Sequence, residues 1–399
     1  MSSPNIMQIV PELDTGGAEL SAIEISEAIV RAGGRAIIAT AGGRLETVAR
    51  QKGAEILKFA AATKNPIRIL ANVKQLVEIS RAENVRLIHA RSRAPAWSAL
   101  WAAHQAKVPF VTTYHGAYNE SGPLKRLYNS VMARGDIVIA NSKYTADLIR
   151  QRYGTARDRL RVIYRGVDAA FAPCKISRER VDKLHNAWGV SPGQRVIVQA
   201  ARLTGWKGQR VLIAAVEYLV QQGDLGNVTF ILAGDDQGRH AYRHELEWLI
   251  ADKGLQDYVK LVGHVSDIAA AFAGAHASVI ASTEPEAFGR TGVEAQALGC
   301  PVIATRLGAP QETVLATPQV DPERRTGWLV EAGDAKALAA ALREVLALSD
   351  VQRSAIGQFA ICNVRSRFSL EQMQRQTLQV YDQLLNTDLV KAFDDQMKQ

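Results

Sequence analysis

Cysteine is nearly absent from this sequence: Cys174, Cys300 and Cys362 are the three among 399 residues. They are widely spaced and odd in number, which argues against both a disulfide framework and a C-x-x-C metal site. Long apolar runs are missing as well. No stretch reaches the roughly twenty residues that a membrane-crossing helix needs, and "MSSPNIMQIVPELDTGGAE" lacks the basic-then-apolar layout of a signal peptide. A cytoplasmic protein is the expectation. Three phosphate signatures are lacking too: there is no G-x-G-x-x-G, no G-x-x-x-x-G-K-S/T and no D-x-D anywhere in the chain. Dinucleotide and P-loop readings lose support, and so does a two-carboxylate metal clamp for a diphosphate. Phosphate would have to be met by arginine and lysine.

What is present is the composition of a soluble globular protein, 47% hydrophobic and 22% charged, in a chain long enough for two domains. The formal net charge of +8 is unevenly spread. Residues 1–170 hold 24 Lys and Arg against 14 Asp and Glu, a balance of +10, whereas the remainder holds 24 against 26. All the positive excess therefore lies in the first half. It suggests an acidic partner for one domain, or simply a solubilising surface. "RLIHARSRAPAW" and "PLKRLYNSVMARG" mix Arg and Lys with Trp or Tyr, as a face docking on an anionic membrane would; a buried helix with a charged rim would look similar. No nucleic-acid recognition module is present and the basic residues are dispersed, so nucleic acid is not expected as a partner.

Short apolar strands alternate with helical patterns along the whole chain, the signature of parallel α/β sheets. "IMQIV", "RAIIAT", "RLIHA", "FVTTYH" and "DIVIANS" form one series; "RVIVQAARL", "VTFILAGD", "VKLVGHV", "ASVIAS" and "CPVIAT" form another. Between them, residues 168–193 are rich in charge, Pro and Gly and read as a linker. Near the end, "SLEQMQRQTLQVYDQLL" carries Met373, Val380, Tyr381 and Leu384 along an apolar stripe. The expected architecture is two doubly wound, Rossmann-like domains with a cleft between them, spanning 1–170 and 190–370, with ligands at the strand C-terminal ends.

Several residues stand where such ligands would be met. In "LDTGGAE", Gly16 and Gly17 follow the first strand and let backbone approach a ligand at a helix start, although a tight turn explains them equally well. Arg202 and Lys207 in "ARLTGWKGQ" follow a strand and could clamp a diphosphate, one by bidentate geometry and one as a compact charge. Gly234 and Gly263, in "LAGDDQG" and "VGHV", would let a planar base lie against backbone; His264, followed by Val265, reads more readily as a half-buried edge residue than as a catalyst. His115 lies just past "FVTTY" and could donate to a sugar hydroxyl or serve a structural role. Finally, "STEPEAFGRTGVEAQALGCPVIAT" places Glu286 and Glu294 slightly over two helical turns apart across a loop-to-helix switch. They suggest a ligand-binding edge, or a capped helix with a glutamate near its positive end.

Taken in order, Gly16-Gly17-Ala18-Glu19, "VIYRGVD", "ARLTGWKGQ", "LAGD", "VGHV", "EPEAFGRTGVEAQALGCPVIAT" and "TGWLV" resemble the retaining, nucleotide-sugar-dependent glycosyltransferases of family 4, and the resemblance covers nearly the whole chain. It implies the GT-B fold, with the terminal helix (375–399) crossing back to pack on the first domain. It implies transfer of a hexose from a nucleotide-diphosphate sugar to a saccharide or glycolipid acceptor, without cofactor or metal. Glu294 would bind the ribose hydroxyls and Glu286 would lie near the donor sugar and diphosphate. The backbone around Phe288, Gly289, Arg290 and Thr291 would meet sugar and phosphate. Arg202 and Lys207 become the diphosphate clamp, His115 sits at the sugar, Gly17 approaches the phosphates, and the "GHV" segment lies by the base. The flavour is that of bacterial envelope enzymes building lipopolysaccharide core, peripheral on the inner face of the plasma membrane.

Two positions depart from the family pattern. Arg165 stands where Asn commonly precedes Gly-Val-Asp, and Ala309 replaces the second glycine of a frequent pair; both bear on the hinge or the donor-sugar pocket. A nucleotide-sugar epimerase or hydrolase on the same fold, and a non-enzymatic protein that binds anionic surfaces, are the competing readings.

Overall fold

In the computed structural model, which describes residues 3–14, 16–63, 65–118, 120–223 and 225–398, alternation along β1 (Asn5–Ile9) shows how the first sheet is built. Ile6 faces one core, while Met7 and Ile9 face another on the opposite side. Runs buried on both faces are what a parallel sheet covered by helices demands. Six more strands join β1: β2 (Arg35–Thr40), β3 (Glu55–Lys58), β4 (Val85–Ala90), β5 (Phe110–Tyr114), β6 (Ile137–Ala140) and β7 (Leu160–Val162). They lie parallel in the order β3-β2-β1-β4-β5-β6-β7. Val73 and Leu76 of the helix Pro66–Ala82 and Ala96 and Ala99 of the helix Arg93–Ala106 cover one face. The helix Gly17–Arg31 covers the other, joined from far along the chain by the helix Leu370–Leu385.

A second sheet repeats the plan with β8 (Arg195–Ala200), β9 (Val228–Ala233), β10 (Val259–Gly263), β11 (Ala277–Ile280), β12 (Val302–Thr305) and β13 (Gly327–Val330). Its order is β10-β9-β8-β11-β12-β13, again all parallel. The chain thus divides into one unit of Met1–Gly166 with Leu370–Gln399 and another of Val167–Ser369.

Three expectations change. Residues 168–193 are not a bare linker: they carry the helix Arg178–Ala187, whose Arg180 holds Asp267 at 2.8 Å, and they bury Trp188 and Val190 in the second unit's core. Strands β3, β7 and β13 do not stand out in the sequence; each lies at a sheet edge, β3 (EILK) and β7 (LRV) mix charged with apolar residues, and β13 (GWLV) opens on glycine, so none shows an apolar run like IVIA of β6. "RLIHARSRAPAW" is not a docking face, because β4 is central in its sheet and Arg91 is 2% exposed. Thr15 of "LDTGGAE" lies outside the described residues.

The returning helix Leu370–Leu385 is fixed by polar contacts inside the apolar layer: buried Gln374 donates to Glu24 O at 2.8 Å, and Tyr381 meets His89. His89 on β4 is fully buried, its Nδ1 2.7 Å from the Tyr381 hydroxyl and its Nε2 2.7 Å from the Thr113 hydroxyl. Burial holds the His89 pKa well below its ordinary value, helped by the positive charges of Arg91 and Arg165. The imidazole is therefore neutral, with one ring nitrogen donating and the other accepting.

Removing the Tyr381 hydroxyl leaves a buried ring nitrogen unmatched, so Tyr381→Phe should lower unfolding free energy by about 1–3 kcal/mol. The pH dependence has a definite sign. A histidine neutral in the fold takes up a proton on unfolding below about pH 6.5, so its stabilisation is present above that pH and lost as pH falls. Between pH 7.5 and 5.5 His89 should account for a loss of about 1.4 kcal/mol. Denaturant melts of the wild type and His89→Gln at both pH values check this; an unchanged pH difference in the variant refutes the assignment.

Candidate functional site

In each sheet the strand order reverses once, between β1 and β4 in the first and between β8 and β11 in the second. Connections leaving two such neighbours go to opposite faces, so a crevice opens outside their C-terminal ends. The residues gathered at these two reversals are the candidates for function.

In the second unit, the loop after β8 delivers Lys207 and the loop after β11 delivers Glu286. Their side chains form an ion pair, 18% and 10% exposed, and Ser282 Oγ donates a 2.6 Å hydrogen bond to the same carboxylate. Lys207 Nζ also stands 4.1 Å from the centre of the Trp206 ring. Backbone contacts hold both loops. Thr283 N donates to Trp206 O at 2.7 Å, and Ala309 N donates to Glu286 O at 2.9 Å. Close approach fixes two glycines. A Cβ on Gly208 would lie 1.8 Å from Ala281 O, and one on Gly308 2.4 Å from Glu286 O. Lysine has three donors, so pairing with Glu286 leaves capacity for an incoming anion.

Arg202 is exposed on the same β8 loop, and among the described residues its guanidinium makes no ion pair or hydrogen bond. Glu294, 7% exposed, accepts from Arg290 Nε at 2.7 Å on the helix Arg290–Ala297. Among the described residues no side chain caps that helix, whose N-cap is the left-handed Gly289, and its N-terminal backbone, at Arg290 and Thr291, begins beside the β11 loop. Phe288 is buried edge-on against Phe368, 5.8 Å between centres, and anchors the loop. Gly234 is required by its own unit, since a Cβ there would lie 1.8 Å from Ala201 O. Gly263 has open space where a Cβ would be; His264 after it is exposed and Val265 is half-buried against the core.

The first unit gathers a different set. A cavity of about 210 Å³ is lined by Pro11 and Glu19 near β1, Arg91 and Arg93 after β4, and His115 and Tyr118 after β5. Arg165, which follows β7, contacts His115 Nδ1. Burial and the Arg165 charge hold the His115 pKa well below its ordinary value. Arginine can only donate, so Nδ1 accepts and the ring proton sits on Nε2. Arg165 also bonds Ser21 Oγ, which receives Arg91 Nη1 at 3.4 Å; Arg91 Nε in turn reaches Gln8 Oε1 at 2.5 Å. Gly17 opens the helix Gly17–Arg31, and no atom lies within 4 Å of where its Cβ would be. Its N-cap Gly16 has a φ of 158°.

Sequence reasoning therefore named Lys207 and Glu286 without knowing that they pair, and Arg290 and Glu294 likewise. It missed Arg91, Arg93 and Tyr118, and it treated Arg165 only as a departure. The rule that picked out Arg202, a cation directly after a strand, applies equally to Arg91 after "RLIHA". Among the described residues no group of three or more His, Cys, Asp or Glu is arranged to hold a metal ion.

Comparisons with known proteins give the family and the fold. A family model described as Glycosyltransferase Family 4 matches residues 15–171, and one described as Glycosyl transferases group 1 matches residues 180–360. A solved glycosyltransferase from Rickettsia africae superposes with a TM-score of 0.87 at 32% identity, covering 97% of this chain and all of that one. Anabaena Alr3699/HepE, solved with UDP-glucose, superposes at 0.80 with 27% identity over 95% of this chain and 100% of its own. The D-inositol 3-phosphate glycosyltransferase of Xylanimonas cellulosilytica is 27% identical across 93% of this chain and 92% of its own length. The match to its Corynebacterium urealyticum counterpart, 26% identical, takes in 67% of this chain and 62% of that protein.

The Lys207–Glu286 pair gives a test that needs no substrate. Lys207→Met strands a mostly buried carboxylate, and a fully buried pair broken this way costs roughly 3–5 kcal/mol. Residual exposure should bring the loss to about 2 kcal/mol, measured by denaturant melts, and Lys207→Met with Glu286→Gln should recover part of it. A double-variant loss equal to the sum of the Lys207→Met and Glu286→Gln losses would show that the two side chains are not coupled.

Proposed function

This chain belongs to glycosyltransferase family 4, with the GT-B fold, and from that premise we propose that it transfers a hexose from a nucleotide-diphosphate sugar to an acceptor hydroxyl with retention of configuration. The observation that carries the reading is the cation-rich β8 loop, Arg202 and Lys207, facing the β11 loop and the uncapped start of the helix Arg290–Ala297. The donor's diphosphate would be met by Arg202, Lys207 and backbone N–H groups at Gly289 to Thr291, and its ribose hydroxyls by Glu294. In the reaction the anomeric C–O bond breaks and its electron pair goes to the departing diphosphate. The acceptor oxygen bonds the same carbon, and the acceptor proton passes to the departing diphosphate. Fixed cations stabilise the charge that builds on that group, which lowers the barrier rather than merely tightening binding. No metal takes part in this scheme. His115, with its proton on Nε2, would donate to a sugar hydroxyl.

Relatives support parts of this reading. HepE was solved with UDP-glucose, which favours a uridine donor, and the inositol-phosphate and malate acceptors named for relatives make a small polar acceptor as plausible as an envelope glycolipid. The experiment is incubation with UDP-, GDP- and ADP-hexoses, with proton NMR of the new anomeric signal and a parallel run in chelator. Glu294→Gln should bind the preferred nucleotide roughly tenfold or more weakly in calorimetry, since hydrogen bonds to a carboxylate contribute about 1.5–3 kcal/mol each. Wild-type affinity in that variant, inverted product or abolition by chelator would each overturn the corresponding part.

Association with an anionic membrane surface is a second reading, supported by one exposed helix. Among the described residues no helix is long and apolar enough to cross a membrane. On the helix Pro123–Asn129, however, Leu124 and Leu127 are 82% and 55% exposed beside exposed Lys125 and Arg126. Trp97 Nε1 ties the neighbouring helix to it by a 3.1 Å bond to Tyr128 O, and Trp101 there is also exposed. Each basic residue near an anionic surface contributes about 1 kcal/mol, screened by salt. Sedimentation with anionic and neutral liposomes should show binding to the former alone, reduced by salt and by Leu124→Ser with Leu127→Ser. Equal sedimentation with both kinds of liposome refutes it.

A further inference from the structure

The helix Arg290–Ala297 carries an ion pair that runs against its own dipole. Arg290 is its first residue, at the end that the free backbone N–H groups already make positive, and no acidic residue stands in that first turn. Stability alone would favour a carboxylate there and a cation at the far end. Instead Arg290 Nε donates at 2.7 Å to Oε1 of Glu294, four residues on, and the two side chains are 18% and 10% exposed. An exposed pair at this spacing contributes little, and a mostly buried one desolvates two charges. Helix stability does not account for it.

The frame around the pair is rigid. A Cβ on Gly292 would lie 2.6 Å from Ile280 Cδ1, so the helix packs tightly on β11. Buried Gln296 donates to Gly292 O at 3.1 Å and to Thr313 O at 3.0 Å, tying the same helix to the segment Pro310–Thr313. With the backbone held, the freedom left to Glu294 is that of its own torsions. Helical side chains lean toward the helix start, which brings Glu294 back over the first turn and onto the Arg290 fork. A guanidinium is planar with donors in fixed directions, so its bond to Oε1 sets how the carboxylate is turned. A carboxylate has about four lone-pair sites, which leaves it capacity to accept from ligand hydroxyls.

We propose that the Arg290 side chain is a positioning residue for ribose recognition: it holds the Glu294 carboxylate in the orientation that accepts from the 2′- and 3′-hydroxyls of the donor nucleotide. The proposal rests on the reading that Glu294 meets the ribose. It gives Arg290 two tasks, its backbone N–H for the diphosphate and its side chain for Glu294. Each of the two glutamates at this donor site then has a cation of its own, Lys207 for Glu286 and Arg290 for Glu294, so that neither presents a bare charge to the diphosphate.

The test is calorimetry on the full chain with UDP, ADP and GDP, each beside its 2′-deoxy counterpart. The nucleotide that binds most tightly should be preferred over its deoxy form by roughly tenfold or more, since a site built to bond a hydroxyl rejects the analogue that lacks it. Arg290→Gln should bring that preference to within about twofold by weakening the ribo form, and Arg290→Lys, which keeps the charge without the fork, should restore part of it. A loss of packing alone would weaken both forms equally and leave their ratio untouched. Circular dichroism checks that the variants fold, and Arg290→Met, which keeps the apolar stem, replaces Arg290→Gln should that variant not fold. Glu294→Gln, which should also lose the preference, separates the two ways of failing. A preference lost there but kept in Arg290→Gln overturns the positioning role alone. A preference kept in both, or missing from a wild type that binds nucleotide, overturns the ribose reading and the proposal with it.

Discussion

The two candidate sites of this chain depend on where its two parallel sheets reverse their strand order. A right-handed crossover takes the chain to one face of the sheet on one side of the starting strand and to the opposite face on the other. Beside that strand no connection crosses the C-terminal edge, so loops from two neighbouring strands face each other there. β1 with β4 and β8 with β11 are the two places where this happens. Lys207 meets Glu286 at one, and Arg91 lies with the Gly17 helix start at the other.

The two sites are stabilised differently. In the second unit a compact set of close backbone approaches, at Gly208, Gly308 and Thr283, locks two loops so that one ion pair spans them. In the first unit a buried polar chain runs from Gln8 through Arg91 and Ser21 to Arg165 and His115. Such a network fixes the orientation of its members when each is satisfied. The charges divide accordingly. In the second unit Lys207 and Arg290 are held by Glu286 and Glu294 of the same unit, whereas among the described residues Arg91 and Arg93 of the first form no ion pair.

His89 links that network to the chain's end. It sits one residue before Ala90 and Arg91 on β4 and bonds Tyr381 on the returning helix, so the last thirty residues help set the floor of the first unit's site. A change in the C-terminal helix therefore acts on unit one, although it follows unit two in sequence.

The sequence by itself determined the alternating strands and helices, the parallel sheets and most residues at the second reversal, because each of these signals is local. Apolar runs mark central strands, a glycine marks a tight loop, and a cation after a strand marks a strand end. The apolar stripe through Met373, Val380 and Tyr381 announced a helix that needed a partner. Only the tertiary structure decided which cation faces which carboxylate, since Lys207 and Glu286 are 79 positions apart and loop closure carries no trace in composition. It also decided that Arg91 is interior. Arginine in a stretch with a second arginine and no carboxylate reads as surface, and burying Arg91 requires Gln8, Ser21 and Tyr381 to converge from three separate elements, a convergence that no single stretch of the chain encodes.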